Sequence, residues 1–323
     1  MKRSLVLDIL RVGAIGLVFV AHFDQLLDWP VDDWFGVKNF YYVSFGGVGV
    51  SIFLVLSGIV AGLSQATKPV VYHEYMFKKI LRIYPLYWMS VIVSMGAFVW
   101  SGWIEDGRVP EMFPNGAAAD IVGSVTGFYS WMGLWGGPYN SPSWFIALIM
   151  VMYAVFPLIW VAMRNKWWRH VTIVGLLVAS VGSRYYVGRE GLPFDEQGVF
   201  DGIVNMVYRW YGFLPGRPVD WFPLGRVFEF GLGVYLAVVV KNEWWFKIKL
   251  KWSGVITWLS DQSFGLFLVH YPFMFLIKML EKKGMHLSIA IIVYMLFVFV
   301  AAYVLNWIDG KVPRKRITNY AFY

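Results

Sequence analysis

Ten apolar stretches recur along the 323 residues, roughly at 5–23, 44–63, 80–100, 119–135, 143–163, 170–187, 199–214, 222–240, 254–279 and 286–307. About 20 apolar residues wound as a helix match the hydrocarbon thickness of a bilayer. Charge agrees, because Asp, Glu, Lys and Arg make up 15% of the chain against 59% hydrophobic residues, too little for a soluble domain of this size. The expected fold is all-α: a polytopic bundle of about ten membrane helices forming one membrane-embedded domain over 1–323, with no separate soluble part. The first stretch lacks a small-residue cleavage pattern and reads as helix one of the mature protein, not as a signal peptide.

Basic residues mark the cytoplasmic side of a membrane helix. Lys2 and Arg3, then Lys68, Lys78, Lys79 and Arg82, then the loops 164–169 and 241–253 and the tail, all read as inside. Loop 24–43 sets Lys38 against Asp24, Asp28, Asp32 and Asp33, and it reads as outside with 101–118 and 188–198. These signs fit best if 119–135 and 199–214, the shortest stretches, are re-entrant or tilted. Eight clear crossings then remain, with both termini cytoplasmic. The net charge of +8 suits loops facing anionic lipid, and nothing points to nucleic acid. The absence of cysteine excludes disulfides, thiolate metal sites and a cysteine acyl-enzyme, and no metal site is expected.

The first stretch carries Asp8, Arg11 and His22. Ionisable groups within a bilayer are costly and tend to face a bundle interior or a wet cavity. Arg11 and His22 are about three helical turns apart on one face, roughly 16 Å along the axis. Asp8 is placed i,i+3 to pair with Arg11. Five further patches stand out. Small residues at 46, 47, 49, 57 and 58 suit close helix packing, with ligand approach at Ser57-Gly58 as the alternative. Lys79 and Arg82, followed by Tyr84-Pro85, set paired cations at the membrane boundary, as topology-setting charge or as a phosphate clamp. Ser141-Pro142-Ser143-Trp144 and Tyr153 form a patch that an interfacial aromatic belt also explains. Arg226 and Glu229 are i,i+3 in an apolar segment and suited to satisfy each other. His270, in Leu268-Val269-His270-Tyr271-Pro272, is a second intramembrane His, read first as a buried group bonded to a neighbouring helix.

Together these patches resemble the acyltransferase-3 family of multi-pass membrane proteins. Asp8, Arg11 and His22 resemble its Asp-x-x-Arg and Arg-x10-His pattern. Residues 45–58 resemble its Gly-Val…Ser-Gly helix, and 77–88 its Arg-x-x-Arg-Ile-x-Pro-x-Tyr-Trp segment. Residues 226–233 and 260–272 are similar to its two later signatures. Two departures stand out: Lys79 where the basic pair usually begins with Arg, and Ile149 where many members carry Glu.

The resemblance implies transfer of an acyl group, usually acetyl, from cytoplasmic acyl-CoA to a hydroxyl on an extracytoplasmic glycan or other envelope acceptor, in the cytoplasmic membrane. Acetyl-CoA would be a substrate, with no tightly bound cofactor. On this reading Lys79, Arg82, Ser57 and Tyr84 belong to the acyl-CoA site. Arg11 guides the pantetheine arm or polarises the thioester carbonyl, and His22 acts as general base at the outer end. His270 is the fallback base. Asp24 can orient His22 only if the helix ends there, since i,i+2 residues diverge. Trp144, Tyr153, Arg226 and Glu229 are supporting candidates. Aromatics such as Trp29, Trp34, Phe35, Tyr41, Tyr42 and Trp103 suit stacking on sugars or an interfacial belt. The competing function is a transporter or flippase whose polar stripe lines a path and makes no bond.

Overall fold

The structure is a computed structural model that describes residues 3–27, 40–65, 71–132, 134, 136–190, 221–240, 244–245, 250–251 and 253–322. Among these residues all regular structure is helical. The helices are α1 (Leu5–Leu27), α2 (Phe40–Gln65), α3 (Tyr72–Asp106), α4 (Ala117–Thr126), α5 (Trp144–Arg164), α6 (Trp168–Glu190), α7 (Pro223–Val239), α8 (Ser253–Val269), α9 (Phe275–Lys282), α10 (Leu287–Asp309) and α11 (Arg314–Phe322). Five of them are long and apolar enough to cross a membrane, or six if α8 and α9, bent by 59° at the intervening break, count as one span. The stretch 199–214, residues 191–198 of the loop 188–198, Trp29, Trp34 and Phe35 lie outside the described residues, as do the side chains of Asp24, Tyr41 and Tyr42.

The chain divides into two compact units. The first takes Met1–Tyr72, Ile149–Gly191 and Pro218–Ser263. Its frame is α2, held between α1 and α7 by missing side chains. A Cβ on Gly49 would lie 2.8 Å from Ala14 O, and one on Gly46 would lie 3.2 Å from the Ala21 Cβ. On the α7 side, a Cβ on Gly58 would lie 2.1 Å from Phe230 O, and one on Gly233 would lie 2.0 Å from Val55 O. Gly58 is therefore filled by α7 backbone, so packing and not ligand approach explains it. Gly47 has nothing within 4 Å and takes no part in the packing. Leu7 meets Leu56 and Ile59 in the core, which with the glycine contacts makes α1 antiparallel to α2. The pairs Ser51–Glu229 and Val55–Gly233 make α7 parallel to α2, while Ser180–Gly225 and His170–Tyr235 make α6 antiparallel to α7. In α5, Tyr153 and Phe156 pack on Phe230, and Trp160 lies further along beside Gly62. Helices α2, α5 and α7 thus run one way, α1 and α6 the other.

The second unit takes His73–Leu148, Leu192–Arg217 and Phe264–Tyr323. Its long helix α3 begins well before the apolar stretch at 80, because the residues from Tyr72 to Lys79 are too polar to register as membrane span. The stretch 119–135 is not one continuous helix. Ten residues of α4 rise only about 15 Å, half a hydrocarbon core. The last carbonyls of a helix lack intrahelical donors; here Tyr84 and Trp88 on α3 donate to Thr126 O at 2.6 Å and Val125 O at 2.8 Å. Gly127, in the left-handed region at φ 76°, closes the same end through its N–H to Gly123 O.

The stretch 254–279, read as one helix, is broken at 270–274. Pro272 has no N–H, so Leu268 C=O loses its helical partner, and Asn140 Nδ2 donates to it at 2.6 Å. Tyr294 from α10 donates to His270 O at 2.7 Å.

Candidate functional site

In the first unit Asp8 is the hub. It is 2% exposed, a position at which a carboxylate survives only if paired and hydrogen-bonded. Arg3 Nε donates to its Oδ2 at 2.7 Å, while Arg11 and the Ser260 hydroxyl donate to Oδ1 at 3.1 and 2.7 Å. Arg11 also donates to Ser260 Oγ at 2.8 Å, and Arg3 reaches Asp261 at 2.9 Å. Two guanidiniums therefore meet two carboxylates, and the cluster is electrically balanced. Burial alone lowers the Arg3 pKa, but the hydrogen bonds and charges of Asp8 and Asp261 outweigh it and hold the group above its ordinary value. The pairing of Asp8 with Arg11 follows from their spacing. Arg3 and Asp261 were missed; the signal was two further charges flanking stretches already marked as polar.

Helix α1 is uninterrupted from Leu5 to Leu27, so Arg11 and His22 do share a face about 16 Å apart. The helix does not end at Asp24 but runs on to Leu27. His22 is half-buried, next to Ala21 and hence level with Gly46 of α2.

A second buried cluster joins α2, α6 and α7. Arg226 donates to Glu229 Oε1 and to Ser51 Oγ, both at 3.2 Å, and Ser51 lies 3.4 Å from the same carboxylate oxygen. Arg184 pairs with Glu229 Oε1 and donates from Nε to Gly225 O at 2.5 Å, beside the Ser180 hydroxyl on that carbonyl. Glu229 Oε2 is buried with no hydrogen-bond partner among the described residues. The i,i+3 pairing was legible; Arg184 and Ser51 were not, although Arg184 is an ionisable residue in an apolar stretch. Ser51 is two residues past Gly49, which faces Ala14 and Val18, so this cluster is level with the part of α1 between Arg11 and His22. Tyr153 lies edge-on to Phe230 at 6.0 Å, and Ser57 is half-buried one residue before the α7 contact.

In the second unit, Lys79 and Arg82 share a turn of α3 but not an environment. Lys79 is 8% exposed, its ammonium 5.2 Å from the centre of the Tyr75 ring, whereas Arg82 is exposed. The Tyr84 hydroxyl is committed to Thr126 O. Trp144 is buried edge-on to Phe145, and Trp103 is exposed near the end of α3. His270 is fully buried, and its Nδ1 lies 2.8 Å from Phe267 O and 3.2 Å from Leu266 O, in its own preceding turn. Two carbonyls can only accept, so Nδ1 carries the proton.

Comparison with known proteins adds a lineage. The acyltransferase domain profile of the acyltransferase-3 family matches residues 5–243. The chain is also 24% identical, over 254 residues, to the acyltransferase MdmB of Streptomyces mycarofaciens, an overlap of 73% of this chain and 57% of that relative. The chain thus spans little more than half the length of the curated relative it matches. No solved structure matches. The profile covers α1 to α7, including the Asp8–Arg11 pair, His22, the Lys79–Arg82 turn and the Arg226–Glu229 cluster, and by this match the chain belongs to the acyltransferase-3 family.

Proposed function

We propose that this protein transfers an acyl group, acetyl by family default, from cytoplasmic acyl-CoA to a hydroxyl of an extracytoplasmic glycan or other envelope acceptor. The observation that carries the reading is the half-buried Arg11, fixed by Asp8 and Ser260, three turns from His22 on one unbroken membrane helix. A guanidinium held by fixed partners offers preset donors to the amide carbonyls of the donor's pantetheine arm, which spans the distance from there to His22. His22 takes the acceptor's hydroxyl proton as its oxygen bonds to the thioester carbon; the C–S bond breaks, and the proton passes to the CoA thiolate. Lys79 and Arg82 bind the donor's phosphates.

The topology proposed is eight crossings with both termini inside. Its support is helix direction within the first unit. With α2 running inward and α3 returning, α5 can run parallel to α2 only if 119–135 turns back on the side from which it starts. Helices α6 and α7, being antiparallel, end and begin on the same side.

The test is acetyl-CoA binding by calorimetry, with transfer of labelled acetyl to envelope glycans. His22→Ala should bind donor like wild type while losing about 10²–10⁴-fold in transfer. Lys79→Ala/Arg82→Ala should lose donor affinity. If the folded wild type binds no acyl-CoA, the enzyme reading falls and a carrier takes its place.

A further inference from the structure

The C-terminal segment lies beyond the residues matched by the family profile, 5–243, yet it is pinned to the basic end of α3. Pro85 has no N–H, so the carbonyl of Leu81, four residues earlier, loses its helical donor. Arg314 takes that place: its Nε donates to Leu81 O at 2.8 Å. The same guanidinium bonds Asp309 O at 3.0 Å and pairs with the Asp309 carboxylate. Leu81 lies between Lys79 and Arg82. This bond therefore sets the start of α11, with Lys315 and Arg316 next in the chain, beside the turn that carries both cations.

Charge at this end is lopsided. Residues 72–82 and 309–316 hold seven Lys and Arg against two carboxylates, Glu74 and Asp309. Glu74 is paired with Lys78, and Asp309 with Arg314. Arg82, Lys315 and Arg316 are exposed. Lys315 and Arg316 also stand in the first turn of α11, where the helix dipole is already positive and a cation costs stability. A cytoplasmic loop needs positive charge for topology, but topology does not require that it be fastened to another basic turn by a hydrogen bond to a backbone carbonyl. An anion among these groups relieves both the mutual repulsion and the dipole.

We infer that α11 supplies, through Lys315 and Arg316, the second half of a polyphosphate-binding surface begun by Arg82 and Lys79. The inference rests on the reading that acyl-CoA is the donor. The ligand chemistry is a cluster of phosphate groups, which a CoA moiety or anionic lipid headgroups both offer; the donor is assigned here.

The experiment measures CoA and dephospho-CoA affinity by calorimetry for wild type, Lys315→Gln/Arg316→Gln and the charge-conserving Lys315→Arg/Arg316→Lys. The protein is held in nanodiscs of phosphatidylcholine, with and without phosphatidylglycerol. In the zwitterionic discs the Gln pair should weaken CoA binding by about tenfold, the loss of one charged hydrogen bond. The charge-conserving pair should bind like wild type, and dephospho-CoA, one phosphate poorer, should lose less. A CoA affinity equal to wild type in the Gln pair overturns the inference and leaves the donor reading standing. A loss confined to discs containing phosphatidylglycerol assigns the cations to lipid and also overturns it. No CoA binding by wild type removes the donor reading, and this inference with it.

Discussion

Alanine at Gly58 and alanine at Gly47, eleven residues apart on α2, should have opposite effects. A Cβ at Gly58 lands 2.1 Å from Phe230 O, 3.0 Å from Val234 N and 3.1 Å from Gly233 Cα. Carbon and oxygen in weak contact rest at roughly 3.3 Å, so α2 and α7 must part by about 1 Å. All three neighbours are backbone, and no rotamer change relieves them. Sliding the helices is also barred, because Gly233 meets Val55 O in the same way. Overpacking costs about 1–3 kcal/mol, and the upper end applies. At Gly47 nothing lies within 4 Å, and alanine gains up to about 1 kcal/mol of helix propensity. At roughly 2 °C per kcal/mol for a chain of this size, Gly58→Ala should melt roughly 5–8 °C below Gly47→Ala. The assay is thermal unfolding in detergent followed by tryptophan fluorescence. Equal melting of the two variants refutes the close α2–α7 approach, and with it the seating of Glu229 against Ser51.

Asp8→Asn keeps the shape but removes the buried charge that holds Arg3 and Arg11, and should cost about 3–5 kcal/mol. Asp261, whose side chain is 57% exposed, should cost under about 1 kcal/mol as Asp261→Asn; similar losses in denaturation would count against Asp8 as the hub. Asn140→Ala leaves Leu268 O without its donor and should cost about 1–3 kcal/mol, read as a lowered melting temperature; no change would mean that the carbonyl finds another partner. Tyr139 donates to Met112 O, and burial first, then Asp120, pushes its pKa up to about 12. The native state then keeps this proton longer than the unfolded chain. The stabilisation is complete below pH 10 and is lost as pH rises toward 12, and Tyr139→Phe should flatten that alkaline decline in melting temperature.

Hydropathy located the apolar helices because lipid admits few alternatives to a continuous helix. The Asp8–Arg11 and Arg226–Glu229 pairs were readable for a similar reason: i,i+3 spacing on a helix forces contact. What stayed hidden came from far along the chain. Nothing near Asp8 announces Ser260, and nothing near Glu229 announces Arg184. The two prolines show where the boundary falls. Each marks an orphaned carbonyl by arithmetic, Leu81 four residues before Pro85 and Leu268 four before Pro272. Each carbonyl is filled by a side chain from a distant segment, Arg314 from 233 residues away and Asn140 from 128. A backbone carbonyl shielded from water needs such a donor. A proline in a membrane helix is thus a demand for a donor whose location is readable and whose supplier is not. The supplier is fixed only when the helices pack, and so the C-terminal α11, silent in the sequence, becomes part of the basic end of α3.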